Sequence, residues 1–363
     1  VILYRGLKSV MSLKQPWALP NWLVYATLCI LVLLSSGFMF TPDTNFVIAD
    51  FWRWMVVHMW AEAFFEVFTT VLIGYFMVLM GLVSVQAAIR VIYLACLLFL
   101  GSGLLGISHN FYWNAKPVFT MALGSVFSTL QVVPLILLTL EAWRFSKLPK
   151  QLEKNEIENG NGYQSNSFGF SEVFLFLIGV NFWNFFGAGV MGFIINLPIA
   201  NYYEHGTYLT VNHGHAALMG VYGNLSLAAI LFCCQLLFEP KQWNPKLISV
   251  SFWSINVGLL LMVFLDLFPA GILQFNAVLE KGLWFGRSNQ FIESTPFQTL
   301  TWMRIVGGSL FVVGGVIPLA WFIVSRSGSL KDKIHIAMNG SPVKNGKVIS
   351  HSENVNADNS DEK

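Results

Sequence analysis

Eight apolar stretches cross this chain, and each is long enough to span a lipid bilayer, which requires about 20 apolar residues in a helix. Hydrophobic residues make up 55% of the sequence and charged residues only 11%, far from the balance of a soluble domain. The sequence therefore predicts an all-α polytopic membrane protein, with a transmembrane domain over residues 1–326 and a disordered cytoplasmic tail over residues 327–363. The predicted helices are Trp17–Phe38, Phe51–Met80, Val85–Ser108, Pro117–Trp143, Glu172–Leu197, Tyr208–Phe238, Leu247–Leu273 and Leu300–Val324.

Positive charges are unequally distributed between the two sides of this eight-helix arrangement. One side carries most of the Lys and Arg residues, whereas the other holds only Arg53, Lys116, Lys281, Arg287 and Arg304. The positive-inside rule then places both termini in the cytoplasm. A net charge of +2, with the cations in short loops, argues against nucleic acid as a partner. Because the chain opens on Val1, we expect further helices upstream in the same polypeptide.

Ionisable side chains inside the apolar stretches are the main functional signal. Such groups are costly in hydrocarbon and usually mark a functional site, and haem or metal ligation commonly explains a mixture of imidazole and carboxylate. The predicted topology places four of the histidines at one depth, towards the outer leaflet, which independent packing histidines would seldom do. The ionisable residues within the apolar stretches that we single out are His58, Glu62, Glu66, His109, His213 and His215.

The spacing within the first group indicates one shared helix face. His58, Glu62 and Glu66 are four residues apart, so they stack along a helix, and a histidine and a carboxylate one turn apart can bind the same iron. The alternative is a polar stripe that hydrogen-bonds to neighbouring helices.

The spacing of the last two histidines has the opposite consequence. His213 and His215 are two residues apart and point about 200° apart around a helix. They therefore suit two separate haems on opposite sides of one helix better than one metal. A proton-coupled transporter would also carry intramembrane Glu and His, but it would not need this arrangement.

Four segments carry a family resemblance that runs from Trp52 to about Val324. They resemble the catalytic subunit of nitric oxide reductases in the haem-copper oxidase superfamily, in its single-chain, quinol-oxidising branch. The resemblance implies a haem-copper oxidase subunit I-like bundle, of which this chain supplies the last eight helices. The segments are WRWMVVHMWAEAFFE, NFWNFFGAGVMGFIINLPIANYYEHGTYLTVNHGHAALMGVYG, SFWSINVGLLLMVF and LTWMRIVGG.

The resemblance also implies cofactors. His213 would be the axial ligand of a high-spin haem b3, and His215 would be one axial ligand of a low-spin haem b, whose second ligand we expect upstream of Val1. His58, His109 and Glu62 would hold a non-haem iron beside haem b3, with Glu66 next to that site.

Three positions depart from the family pattern. Asn110 stands where the family has a second histidine, so we count Asn110 among the expected metal ligands and catalytic residues, as a weaker donor than imidazole. Gln131 replaces a glutamate and removes a group that could deliver protons. Gly308 stands four residues after Arg304, where quinol-oxidising members carry an acid, which disfavours quinol binding.

These departures resemble the nitric oxide dismutases, a related branch that converts two NO into N2 and O2 without net electrons or protons. We expect this activity, with Glu62, Glu66, Asn110 and Gln131 as the catalytic residues. The alternative is a quinol-dependent reductase that forms N2O and water. A copper oxidase is disfavoured because its metal needs three histidines. The expected partners are nitric oxide and the lipid of the bacterial cytoplasmic membrane, and a homodimer remains an open alternative.

Overall fold

A computed structural model describes residues 5, 8, 11, 14–112, 117–130, 144, 147, 169–326, 343–344 and 347–348, without the side chains of residues 57, 62, 63, 102, 110 and 111. Within these residues, seven helices are long and apolar enough to cross a membrane. They confirm seven of the eight predicted spans. They are α1 Leu19–Met39, α2 Phe46–Leu79, α3 Val85–His109, α5 Ser171–Asn196, α7 Tyr208–Leu237, α8 Pro245–Lys281 and α10 Thr295–Val324.

The remaining predicted span begins as a shorter apolar helix, α4 Val118–Leu130, and its other half lies outside the described residues. Two short helices, α6 Pro198–Glu204 and α9 Asn289–Ile292, precede α7 and α10. In the tail, β1 Val343–Lys344 pairs with β2 Lys347–Val348 in antiparallel fashion. The other tail residues lie outside the described part, so the disordered tail stays a prediction.

Local signals in the sequence explain where the helices begin and end. The side chain of Thr207 accepts a hydrogen bond from Leu209 N at the start of α7, and Asn244 accepts one from Leu247 N at the start of α8. These caps satisfy amide groups that have no partner within the helix. Gly282 ends α8 with a φ of 88°, a conformation that other residues rarely adopt.

Most of the membrane helices contain a π-helical segment. Single π turns inside α-helices are frequent at functional sites, and two of these segments carry the predicted ligands His58 and His215. The segments are Val57–Phe64, Cys96–Leu100, Asn184–Val190, His215–Gly223, Met262–Leu267 and Leu310–Val316.

The main core lies between α5, α7, α8 and α10. A buried polar cluster fixes three of these helices: Trp183 Nε1 donates to Asn256 Oδ1 over 2.8 Å, and the amides of Asn224 and Asn256 bond to each other over 3.0 and 3.1 Å. In a medium of low dielectric such a satisfied network is strong and directional. It therefore sets the relative position of α5, α7 and α8, on which the site depends.

Candidate functional site

His58 and His109 lie against each other in the interior. Their ring centroids are 4.6 Å apart at an angle of 76°, and both residues are fully buried. His58 Nε2 is 2.5 Å from the carbonyl oxygen of Gly103, on α3. Two helices that are distant in sequence thus bring two of the predicted iron ligands together.

A close approach of α4 to the end of α3 holds His109 in place. A Cβ added at Gly124 would lie 2.7 Å from Ser108 Cβ and 2.9 Å from His109 N, closer than atoms of a side chain can come. Only glycine at this position allows the two helices to meet here.

The other predicted ligands of the iron are incompletely described. The backbone of Glu62 lies in the π segment of α2, and that of Asn110 lies in a 3-10 turn, Ile107–Phe111, but neither side chain is described. Gln131 lies outside the described residues. Among the side chains that the structure does describe, no three His, Cys, Asp or Glu residues are grouped for a metal ion. The four-ligand site therefore stays a prediction.

A cavity of about 180 Å³ lies between α2, α3, α4, α5, α6 and α7. Its volume is below the range for typical ligand pockets, roughly 300–1,000 Å³. Two of the predicted site residues, Glu66 and His213, line it, together with Ser128 of α4. The cavity therefore joins the carboxylate of α2 to the first histidine of α7.

His213 is held from two sides. Its Nδ1 is 2.9 Å from the carbonyl oxygen of Gly187 on α5, and a Cβ added at Gly192 would lie 3.1 Å from its Cε1. A hydrogen bond from one ring nitrogen to a backbone carbonyl is the usual way in which proteins orient a ligating imidazole. The following residue, Gly214, lines the same cavity, and no atom lies within 4 Å of a Cβ placed there.

His215 has a different neighbourhood. Its Nδ1 is 3.0 Å from Val211 O of its own helix, and Asp266 of α8 lies near it. Asp266 is fully buried and accepts a hydrogen bond from Arg304 Nε at 2.6 Å, in an ion pair between α8 and α10. The Arg304 guanidinium lies 5.8 Å from the ring centroid of Tyr208, near the start of α7.

The sequence pattern did not indicate the residues at the outer end of the cavity, which α6 and the start of α7 close. The buried carboxylate of Glu204 accepts a hydrogen bond from Thr210 Oγ1 at 2.8 Å, and its other oxygen is 3.4 Å from Asn201 Nδ2. Burial raises the pKa of Glu204 to about 8, and the Thr210 hydrogen bond opposes that change. The available signal was an acid beside a histidine in an apolar segment nine residues before His213.

His205 also lines this end of the cavity, although its position between two spans gave no reason to include it. Its ring centroid is 4.4 Å from that of Trp54, and its carbonyl oxygen accepts a hydrogen bond from Arg287 Nη2 at 2.5 Å. Burial, and then the positive charge of Arg287, lower the pKa of His205 to about 3. The imidazole is therefore neutral at physiological pH.

The helical bundle, the intramembrane histidines and the cavity define a class of protein: residues 3–310 match the family of cytochrome c and quinol oxidase polypeptide I, and the chain belongs to that family. It is a haem-copper oxidase subunit I-like membrane protein. Within this class it is similar to a nitric oxide reductase subunit from Stutzerimonas stutzeri, with 26% identity over 290 residues. The match covers 78% of this chain and 57% of that relative, so the chain spans little more than half of the relative's length.

Proposed function

We propose that this chain forms the catalytic core of a bacterial membrane enzyme that acts on nitric oxide and dismutates two NO into N2 and O2. The observation that carries the proposal is the cavity, which both His213 of α7 and Glu66 of α2 line. Helix α2 also carries His58, which contacts His109. Similarity to a nitric oxide reductase subunit supports nitric oxide as the substrate.

The two histidines of α7 would each hold a haem. His213 lines the cavity, and its ring is oriented through Nδ1. The space left open at Gly214 is what a haem face beside His213 requires. On the other side, the Nδ1 of His215 bonds to Val211 O, and the ring has no further hydrogen bond in the described part of the chain. We assign haem b3 to His213 and low-spin haem b to His215.

A non-haem iron fits the donor chemistry around the two buried imidazoles. His58 and His109 would supply nitrogen, and Glu62 and Asn110 would supply oxygen, a mixture that suits iron. Glu66 would lie beside this set, because it lines the cavity from the same helix. When bound, haem b3 and this iron would supply the binding and redox chemistry for two NO molecules.

Dismutation is favoured over reduction because two positions each lack a functional group that a reductase would use. Two NO yield N2 and O2 with no net electrons or protons, whereas reduction to N2O and water consumes two of each. Asn110 lacks the imidazole, and Gln131 lacks the carboxylate, that a reductase would use. Dismutation needs neither the imidazole nor the carboxylate that these two positions lack.

A reductase is the second candidate, and a specific observation favours it. The cavity retains two carboxyl groups, Glu66 and Glu204, and Glu204 holds its proton to about pH 8. Protons could therefore reach the site without Gln131. A proton-coupled transporter is a non-enzymatic alternative, and optical absorption separates it from both enzymes because a transporter shows no haem bands.

The deciding experiment supplies nitric oxide, labelled with nitrogen-15 and oxygen-18, to the purified full-length protein without oxygen or reductant. We expect doubly labelled N2 and doubly labelled O2 in equal amounts. Labelled N2O that forms only after an electron donor is added would overturn dismutation in favour of reduction. The His213→Ala variant is the matched control, since it should retain the fold but form neither product.

A further inference from the structure

A second cavity, of about 220 Å³, lies between α2, α3 and α5 and shares no described lining residue with the first. Most of its wall is apolar. Four polar side chains interrupt this wall: Thr69 and Thr70 from α2, and Asn181 and Asn184 from α5. The apolar lining residues are Ile73, Met77, Val83, Val91, Phe174 and Leu177, among others.

Two of the four polar side chains have an unsatisfied atom. Thr69 is 2% exposed and Asn184 is 6% exposed, yet Thr69 Oγ1 and Asn184 Oδ1 have no hydrogen-bond partner in the described part of the chain. By contrast, Thr70 Oγ1 donates to Glu66 O and Asn181 Nδ2 donates to Leu177 O, each over 3.0 Å. A buried polar atom without a partner destabilises the folded state. Native structures contain few of them, and an unfilled ligand site is one explanation.

The order of polar and apolar groups along the cavity restricts its occupant. Asn184 lies midway along α5, and Thr69 lies well inside α2, so the polar end is deep in the membrane. Val83 and Ala87 mark the other end, at the turn between α2 and α3, and Ile178 is exposed on the surface beside the cavity. A phospholipid would place its polar head at the membrane surface, which is the wrong end. The occupant must therefore place its polar group deep in the cavity and its apolar part towards the opening.

We propose that this second cavity binds an apolar alcohol or phenol, whose hydroxyl group lies between Thr69 Oγ1 and Asn184 Oδ1. The hydroxyl would donate to the amide oxygen of Asn184, which is an acceptor only, and would accept from the hydroxyl of Thr69. Its apolar part would contact Ile73, Met77 and the other apolar wall residues. The site is independent of the function proposed for the first cavity.

A matched pair of probes tests the hydroxyl directly. We would measure the dissociation constants of 4-hexylphenol and hexylbenzene by isothermal titration with the full-length protein in nanodiscs, using empty nanodiscs as the blank. The two hydrogen bonds should give the phenol an advantage in affinity of at least about tenfold. Equal affinity for the two probes would overturn the proposal. Tighter binding of 1-octanol than of 4-hexylphenol would identify a chain alcohol, and the reverse would identify a phenol.

Variants locate the binding and separate it from a folding defect. Thr69→Val and Asn184→Leu should weaken the binding of 4-hexylphenol by about tenfold and leave the binding of hexylbenzene unchanged. Thr69→Ser keeps the hydroxyl and should bind 4-hexylphenol like the wild type. Ala87→Phe at the opening should abolish binding of both probes. Ser251→Ala, which removes another unpartnered buried hydroxyl outside this cavity, should change nothing. Unaltered phenol binding in Thr69→Val or in Ala87→Phe would refute this site.

Discussion

The two sides of α7 differ more than the two-residue spacing of their histidines implies. The side of His213 faces α5 and an internal cavity, and backbone groups control it: the carbonyl of Gly187 and the absent side chain of Gly192. The side of His215 faces α8, where charged side chains dominate through the ion pair of Asp266 and Arg304.

Under the proposed function, this difference would give the two sides separate tasks. Backbone contacts are short and rigid, so they fix the position of an imidazole at a reacting centre. A buried charge pair fixes position less strictly, but it sets the local electrostatic field. The side of His213 therefore suits substrate chemistry, and the side of His215 suits a redox centre whose potential depends on nearby charge.

The largest expected effect comes from exchanging the two histidines for alanine. His213→Ala should remove the high-spin haem signal and lower nitric oxide turnover by more than about 100-fold, since even the loss of an outer partner costs 10–100-fold. His215→Ala should instead remove the low-spin signal. Optical spectra and NO consumption check both. If His213→Ala retained turnover, the division between the two sides would be wrong.

The next largest effect is the loss of stability expected when either member of the ion pair beside His215 is replaced, and the two losses should differ. Arg304→Leu leaves the fully buried Asp266 charge without its partner and should destabilise the protein by about 3–5 kcal/mol. Asp266→Asn leaves Arg304, which is 41% exposed, so it should cost less, roughly 1–2 kcal/mol. Thermal unfolding in detergent measures both. Equal losses would mean that the burial of Asp266 does not matter.

Two glycine substitutions sharpen the comparison at the helix contacts. A Cβ at Gly187 would lie 2.7 Å from the carbonyl carbon and oxygen of Ala216, so Gly187→Ala should cost about 1–3 kcal/mol through overpacking. Gly214→Ala meets no atom within 4 Å and should leave the unfolding temperature unchanged or raised. It should, however, lower the ratio of haem to protein, because the methyl group enters the space assigned to haem b3. Unchanged haem content would exclude that placement.

The smallest effect concerns pH at the outer end of the cavity. Glu204 has a folded pKa of about 8, above its ordinary 4.5, so the stability that it contributes is complete below pH 4.5 and is lost as pH rises to 8. His205, lowered from 6.5 to about 3, has the opposite effect and loses its contribution as pH falls from 6.5 to 3. Unfolding temperatures from pH 5 to 8 should fall in the wild type relative to Glu204→Gln. Parallel curves would contradict the buried, protonated carboxyl.

The sequence by itself determined the membrane class, seven confirmed spans and the candidate site residues within them. Apolar length and intramembrane histidines are local properties of a chain, and a lipid environment makes them decisive because backbone polar groups must be satisfied within each helix. The spacing of His213 and His215 likewise required them to leave α7 in different directions.

Only the tertiary structure decided which helices meet. Helix periodicity does not reveal that α3 brings His109 onto His58, or that α6 carries Glu204 and His205 to the cavity of His213. It also does not pair Asp266 with Arg304, which are 38 residues apart. These contacts depend on where glycines such as Gly124 and Gly187 allow backbones to approach. Such close approaches are set by the fit of two surfaces, and no single helix encodes that fit.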